Sequence, residues 1–333
     1  MNYEGSHSTS IQIQVSEHKI FMTGNPSRFN RIDNLFGYAS LDECFAVYNS
    51  ILAQIGLPPF TKATRIYYRQ TPDSGRAEQV SDGAQITRLD LTTNLSVGKN
   101  NTMDYIKGLS TLRYRNMIGN LYANGMTADW QSPKGNNRLI YPCAYDKANE
   151  LELHSLSKVK KKYGEDSEQY KYLVGIINYC REQGVVRLEQ KVRSEQLRRM
   201  GARSWGLFEE ALIRKLHDDF LNLDKRLQVN SMDIQTISEQ LISEDIVTNT
   251  KAATTTAYYV YEWMNGKKFD FSKSQVKTHR ARLRKIGIDI KNVCDHSKFS
   301  PVVVSNIREI KPTPLLVPAW YQRPKSQLIK LAV

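Results

Sequence analysis

Gly184–Arg193 reads GVVRLEQKVR, and its two-residue alternation decides the fold class. Val186, Leu188 and Val192 fall on one side of an extended chain, with Arg187, Glu189, Lys191 and Arg193 on the other. Successive side chains of a strand point to opposite faces, so this segment is a strand with one buried and one polar face. The polar face sets one carboxylate among three cations. Two readings fit: a solvated face with a satisfied ion pair, or a phosphate-binding surface holding one metal ligand.

Working outward, Ile86–Leu91 and Leu139–Lys147 are further strand candidates, and the charged stretch Lys158–Arg181 between them and Gly184 is helical. Ile11–Val15 alternates and pairs with Lys19–Thr23. The turn cluster Gly24-Asn25-Pro26-Ser27 then opens a loop to Gly37. Leu41–Ile55 carries apolar residues at helical spacing and stops at Gly56 and Pro58, and Met103–Leu112 is a second helix. Strands far apart in sequence must share one sheet, which makes the class α+β, an antiparallel or mixed sheet followed by a mostly helical part. Beyond Gly206 the reading is helical: Leu207–Leu227, a polar and weakly helical 228–250, then Ala252–Met264, a turn at Asn265-Gly266 and Ser272–Ile286. The expected division is an α+β domain at 1–215, a helical linker at 216–250 and a helix-turn-helix-like domain at 251–333.

The 333 residues include 47 Lys and Arg against 34 Asp and Glu, a formal charge of +13, which draws the chain toward polyanions. Cys44, Cys143, Cys180 and Cys294 are far apart, which excludes zinc-finger spacing and a disulfide framework and fits a reducing compartment. Cys143 sits in an apolar run and reads as a buried thiol. No apolar stretch is long enough to span a bilayer, and no signal peptide opens the chain, so the expected setting is cytoplasmic with no membrane partner.

Three short segments together supply parts for phosphodiester chemistry. In Arg88-Leu89-Asp90-Leu91, Arg88 and Asp90 share a strand face, and taken alone they read as a surface ion pair. In Tyr145-Asp146-Lys147, Tyr145 and Lys147 share a strand face, although any one of 18 tyrosines is more often a packing residue. The third is Arg187–Arg193. Asp90 and Glu189 bring oxygen ligands suited to Mg²⁺ or Mn²⁺. Tyr145 brings an oxygen nucleophile, and Lys147, Arg187 and Lys191 bring charge stabilisation. Arg88 and Arg193 extend the cationic, DNA-facing surface. In Ser272–Ile286, Val276, Leu283 and Ile286 form an anchoring side beside a stripe of Lys273, Lys277, Arg280 and Arg284, with Arg282 and Lys285 further round. That pattern suits a helix on DNA, or an ordinary solvated basic helix. Lys158–Lys162 (KVKKK) is a weaker candidate of the same kind, and Tyr258, Tyr259, Tyr261 and Trp263 read as core.

Five segments in order carry a family resemblance. They are Gly24–Phe29 with Asn34-Leu35-Phe36-Gly37, Arg88-Leu89-Asp90, Tyr145-x-Lys147-x-x-Glu150-Leu151, Arg187-Leu188-Glu189 with the basic stretch after it, and Pro318–Pro324. At these residues the chain resembles the filamentous-phage replication initiators, the gene II protein family, including its vibriophage branch. The resemblance implies a rolling-circle initiator nuclease in 1–215, with Tyr145 as nicking nucleophile. It implies a site-specific nick in the double-stranded replicative form through a 5′-phosphotyrosine. The freed 3′-hydroxyl primes synthesis, and the displaced single strand is cut and closed. Origin DNA is then the partner, with host helicase and DNA polymerase, in the host bacterial cytoplasm; a dimer on DNA stays open. Two departures stand out. His7, His18, His154, His217, His279 and His296 form no H-x-H pair, so a metal would rest on Asp90, Glu189 and Glu150. The segment before the Asn-Pro loop is also shorter than in the best-known members; either it is dispensable in this branch or the start lies upstream. The rival reading is a non-enzymatic DNA-binding repressor or regulator with a degenerate nuclease fold. A tyrosine recombinase would want an Arg/His/Arg set and a carboxy-terminal tyrosine, a pattern that is not evident.

Overall fold

A computed structural model describes residues 1–70, 77–133, 135, 137–223, 234–264, 267–292 and 310–325. In chain order the elements are β1 (Asn2–Glu4), β2 (Ser10–Ser16), β3 (Lys19–Thr23), α1 (Leu41–Gln54), β4 (Ile66–Gln70), β5 (Ala77–Ser81) and β6 (Arg88–Ser96). Then follow α2 (Thr102–Ser110), β7 (Ile118–Leu121), β8 (Thr127–Gln131), β9 (Ile140–Asp146), α3 (Lys147–Leu151), α4 (Ser157–Tyr163), α5 (Glu168–Gln183) and β10 (Val185–Arg193). The chain goes on through α6 (Ser194–Arg199), α7 (Glu210–Leu221), α8 (Ile234–Ser243), α9 (Thr250–Met264), α10 (Ser274–Lys285) and β11 (Thr313–Pro314). The α+β class read from the sequence is what the chain adopts.

Two compact units result. The first takes Met1–Met103, Asn137–His217 and Lys311–Val333. At its centre β10 pairs antiparallel with β6 along one side and β9 along the other, and β11 adds to the far side of β6. The apolar face, with Leu89, Leu91, Ile140 and Val192, packs into a core with Phe45, Leu197, Trp205 and Leu216. Phe45 and Trp205 stack there with ring centroids 3.9 Å apart. The opposite face carries the charged residues, and its Val185 end closes under Leu173, Ile176, Ile177 and Cys180 of α5. The hairpin β2–β3, extended by β1, buries Ile11 and Ile13 against Val47 and Ile51 of α1.

The expected single helix over 158–181 is two. Gly164 at φ +82 ends α4, and the Ser167 hydroxyl accepts from the Tyr170 amide to begin α5. Gly184 closes α5 in the left-handed region, at φ +58, and turns directly into β10. A Cβ there would sit 1.9 Å from the Gly98 carbonyl oxygen, so no side chain fits. Gly184→Ala is therefore expected to destabilise the first unit by about 2–4 kcal/mol, from left-handed strain plus forced separation of β10 from the 97–98 loop. A lower urea midpoint with unchanged m-value is the measurement; an unchanged midpoint would refute it.

The second unit takes Asp104–Asn136 and Asp218–Ile310. It holds the β7–β8 hairpin and a helical core of Ile237, Leu241, Val247, Ala257, Val260, Leu283 and Ile286 from α8 to α10. The expected linker at 216–250 thus contains α8, which belongs to this core. The tail from Lys311, expected with the basic helices, instead pairs with β6 in the first unit. The expected helix over 207–227 is α7, and its last residues and the turn at Asn265-Gly266 lie outside the described residues. Cys143 is buried as expected, and Cys44, Cys143 and Cys180 form no disulfide. No helix among the described residues is long and apolar enough to cross a membrane.

Candidate active site

The register of three strands assembles the charged face. Arg187 lies opposite Asn94 on one side and Tyr145 on the other, Glu189 opposite Thr92 and Cys143, and Lys191 opposite Asp90 and Tyr141. Tyr145 is the next-to-last residue of β9, and its hydroxyl donates to Glu189 Oε2 at 2.8 Å. Burial lifts the phenol well above its ordinary pKa, against the pull of Arg187; the Glu189 and Glu150 charges push the same way as burial. The hydroxyl therefore stays protonated at neutral pH and points at a carboxylate able to take the proton.

Lys147 departs from expectation. It opens α3 instead of continuing the strand, because the Asp146 carboxylate accepts from the Asn149 amide and caps a helix at once. Thr102 fixes that cap by donating to the other Asp146 oxygen at 2.6 Å. Lys147 thus leaves the face of Tyr145 and is 0% exposed. Its ammonium donates to Asn34 Oδ1 at 2.7 Å and Glu150 Oε2 at 2.5 Å. Burial, reinforced by Arg187 and opposed by Glu150, pulls its pKa down to about 8. Lys147 holds the Asn34 loop to α3, with its ammonium buried between Asn34 and Glu150.

Arg187 is the second departure. Only 3% exposed, it donates through Nε to Asn94 Oδ1 and through Nη2 to the carbonyls of Asn34 and Leu35, at 2.7–2.8 Å. It faces inward because its end of β10 lies under α5, and its charge reaches Tyr145, its cross-strand neighbour. Asn94 also donates to the Leu35 carbonyl at 2.6 Å. In the same loop, Asp33 accepts from the Leu35 amide at 2.7 Å and from the Tyr321 hydroxyl at 2.6 Å. Sequence reasoning assigns no role to Asn34, Asn94, Asp33 or Tyr321. The N-x-F-G loop and the even-numbered face of β6 are the signals that point to three of them.

At the open end of β10, Asp90 accepts from Arg88 Nε and Nη2 at 2.8 and 2.7 Å, with its side chain 37% exposed. Glu189 is 14% exposed, with Lys191 Nζ 3.6 Å from its Oε1. Lys191 also lies over the Tyr141 ring, 5.4 Å from its centroid, and Arg193 is exposed. Asp90 and Glu189 are diagonal neighbours on adjacent strands, about 7–8 Å apart or slightly less, close enough for two carboxylates to reach one cation. Among the described residues no three His, Cys, Asp or Glu side chains gather as a metal-holding group. All three acids are engaged, Glu150 by the buried Lys147, Asp90 by Arg88 and Glu189 by Tyr145 and Lys191. Only Asp90 and Glu189 share the polar strand face, so a cation there would be held by a two-acid set in place of those partners. That set fits Mg²⁺, which is commonly held by one or two carboxylates with substrate phosphates and water completing the shell.

Hydrogen bonds thus join segments scattered from Asn34 to Tyr321 into one network with Lys147 and Arg187, beside Tyr145. A family model for the N-terminal part of the phage replication-associated protein, the gene II protein, matches residues 1–220, and one for its C-terminal part matches 241–327. The replication-associated gene II protein of Escherichia phage If1 is 51% identical over 314 residues, covering 94% of this chain and 98% of the relative. The chain belongs to the gene II replication-associated protein family. No solved structure matches it.

In this gene II-family chain the basic helix of the second unit is sorted by its contacts. Val276, Leu283 and Ile286 are buried as expected, joined by His279, whose Nδ1 lies 2.9 Å from Thr256 Oγ1. Lys273, Lys277 and Arg284 are exposed. Arg280 leaves the expected stripe: it makes a two-pronged bridge to Asp289 at 2.7 and 2.9 Å and pins the segment after α10. The aromatic reading divides as well. Trp263 is buried and Tyr259 packs on the core. Tyr258 and Tyr261, expected inside, are 49% and 50% exposed and stacked on each other.

Proposed function

We propose that this gene II-family chain is a rolling-circle initiator that nicks one strand of its phage origin with Tyr145 and stays attached to it. The observation that carries the reading is the Tyr145 hydroxyl donating to Glu189, on a face that also offers Asp90, Arg88, Lys191 and Arg193. The phenolic oxygen attacks the scissile phosphorus, its proton passes to Glu189, and the P–O3′ bond breaks. The 3′-oxygen takes a proton, leaving a free 3′-hydroxyl and a 5′-phosphotyrosine. The reverse attack by a 3′-hydroxyl expels the tyrosine and reseals a strand, with no nucleotide consumed, because the tyrosyl ester conserves the bond energy. Mg²⁺ or Mn²⁺, held by Asp90 and Glu189, would neutralise charge on the phosphate oxygens. Arg88, Lys191 and Arg193 steer the backbone toward the face. Lys273, Lys277 and Arg284 give the second unit a cationic surface for origin DNA. A host polymerase would extend the 3′-end while a host helicase unwinds the duplex ahead of it, in the host cytoplasm.

The test is incubation of the full chain with supercoiled origin DNA and divalent metal, followed by separation of nicked circles and detection of protein on the 5′ end. Intact supercoils would favour a non-enzymatic regulator, and relaxation without metal would favour a recombinase-like enzyme. Asp90→Asn is expected to lower the nicking rate about 10- to 100-fold, partly restored by raised Mg²⁺ or Mn²⁺. Nicking that survives EDTA unchanged would refute the metal.

A further inference from the structure

A cavity of about 210 Å³ opens in the first unit, away from the polar sheet face. Arg28, Lys158, Lys162, His7 and His154 contribute to its wall along with serine and threonine hydroxyls, and no Asp or Glu lines it. A concave site with three permanent cations and no acid selects for an anion, and the hydroxyls add donors suited to phosphate oxygens. His154, Lys158 and Lys162 recur every four residues, so they form one stripe on the helical run that continues α3 through a π-type turn into α4. Lys158 has no carboxylate partner among the described residues, whereas its neighbour Lys160 is bridged to Glu165. At the rim, His7 and Ser8 both hold left-handed backbone, φ +57 each, a strain that clusters at ligand sites. The charges of Asp33 and Glu150, the latter bound to the buried Lys147, also reach Arg28.

We propose that this cavity binds a backbone phosphate of the DNA strand that Tyr145 cuts, an inference that rests on the nicking reading. The helical run begins two residues after Tyr145. At about 1.5 Å per residue, His154 to Lys162 lie about 10–22 Å along it from Lys147. At about 3.4 Å per nucleotide of one strand, that is three to seven nucleotides from the cleaved bond. The cavity is thus a register clamp: one phosphate seated there fixes which phosphodiester reaches Tyr145.

The test uses the full chain, a Lys158→Gln/Lys162→Gln variant and a Lys158→Arg/Lys162→Arg control. Origin binding is followed against salt, together with an interference map of ethylated phosphates. The wild type should show interference at a phosphate three to seven nucleotides from the nick. The Gln pair should lose that signal, bind about tenfold more weakly and show a salt slope smaller by about 1–2, and the Arg pair should restore all three. An unchanged slope and map would overturn the proposal. Saturable binding of inorganic phosphate, lost in the Gln pair while its DNA slope stays wild type, would make this a free-phosphate site and overturn the strand assignment. A wild type whose origin shows an interference site lost in the Gln pair and restored in the Arg pair, yet which never nicks, would sink the nicking reading and leave the cavity as a backbone-phosphate site.

Discussion

Tyr145→Phe is expected to abolish strand cleavage and the covalent protein–DNA adduct while origin affinity stays within about twofold. The substitution removes one oxygen. The ring keeps its place at the end of β9, and what is lost locally is the hydrogen bond to Glu189, which keeps Lys191 nearby. One such bond is worth about 1 kcal/mol net, so the fold should survive intact. The chemical loss is of another order. Removing a nucleophile from a site that works as a unit costs about 10⁴-fold or more, a barrier increase of about 5 kcal/mol. Electrophoretic mobility shift and adduct detection on labelled origin DNA separate the two effects. Should an adduct persist, Tyr145 is not the nucleophile, and Tyr141 would be next to test: it lies on the same face of β9, under Lys191.

How much of this is legible in the sequence follows from what periodicity can report. The alternation in Val185–Arg193 and the short Arg88–Asp90 and Ala144–Asp146 runs mark three strands and put Tyr145, Glu189 and Asp90 on polar positions, as the register shows. Alternation says which residues share a face but not how deep that face lies. Arg187 and Arg193 have the same parity, yet one is buried under α5 and clasps two carbonyls while the other is exposed. That difference depends on Leu173–Cys180 and the Asn34 loop, which are remote in sequence. Lys147 departs for a local reason. Asp146 followed by Asn149 is a helix start, and the cap outweighs strand continuation. Composition alone reads Tyr258 and Tyr261 as core. They lie three apart on α9, beside the stripe of Ala253, Ala257 and Val260 and turned away from it toward solvent, so the buried face is apolar and its flank is aromatic and exposed. The tail is unreadable, since nothing near Thr313 announces that it pairs with β6, or that Tyr321 bonds Asp33.

Glu189→Gln should be the second most damaging change, lowering nicking about 10²- to 10⁴-fold with little loss of DNA binding. Gln is nearly isosteric and still accepts the Tyr145 hydrogen bond through its amide oxygen, so geometry is preserved and basicity is removed. Two roles are open to this carboxylate, proton acceptance and metal holding; its Oε2 accepts from Tyr145, while its Oε1 faces Lys191. If proton acceptance dominates, the loss in Glu189→Gln is not repaired by raised Mn²⁺, while Asp90→Asn is. If metal holding dominates, both variants recover with metal. Removing the negative charge also removes one of the influences that hold the phenol protonated, so the Tyr145 pKa falls in the variant. That fall alone would favour attack, and a rate that drops despite it assigns the loss to the missing base or ligand. A variant that nicks at the wild-type rate would refute both roles at once. It would leave Glu189 as nothing more than the Lys191 counter-ion on a solvated strand face.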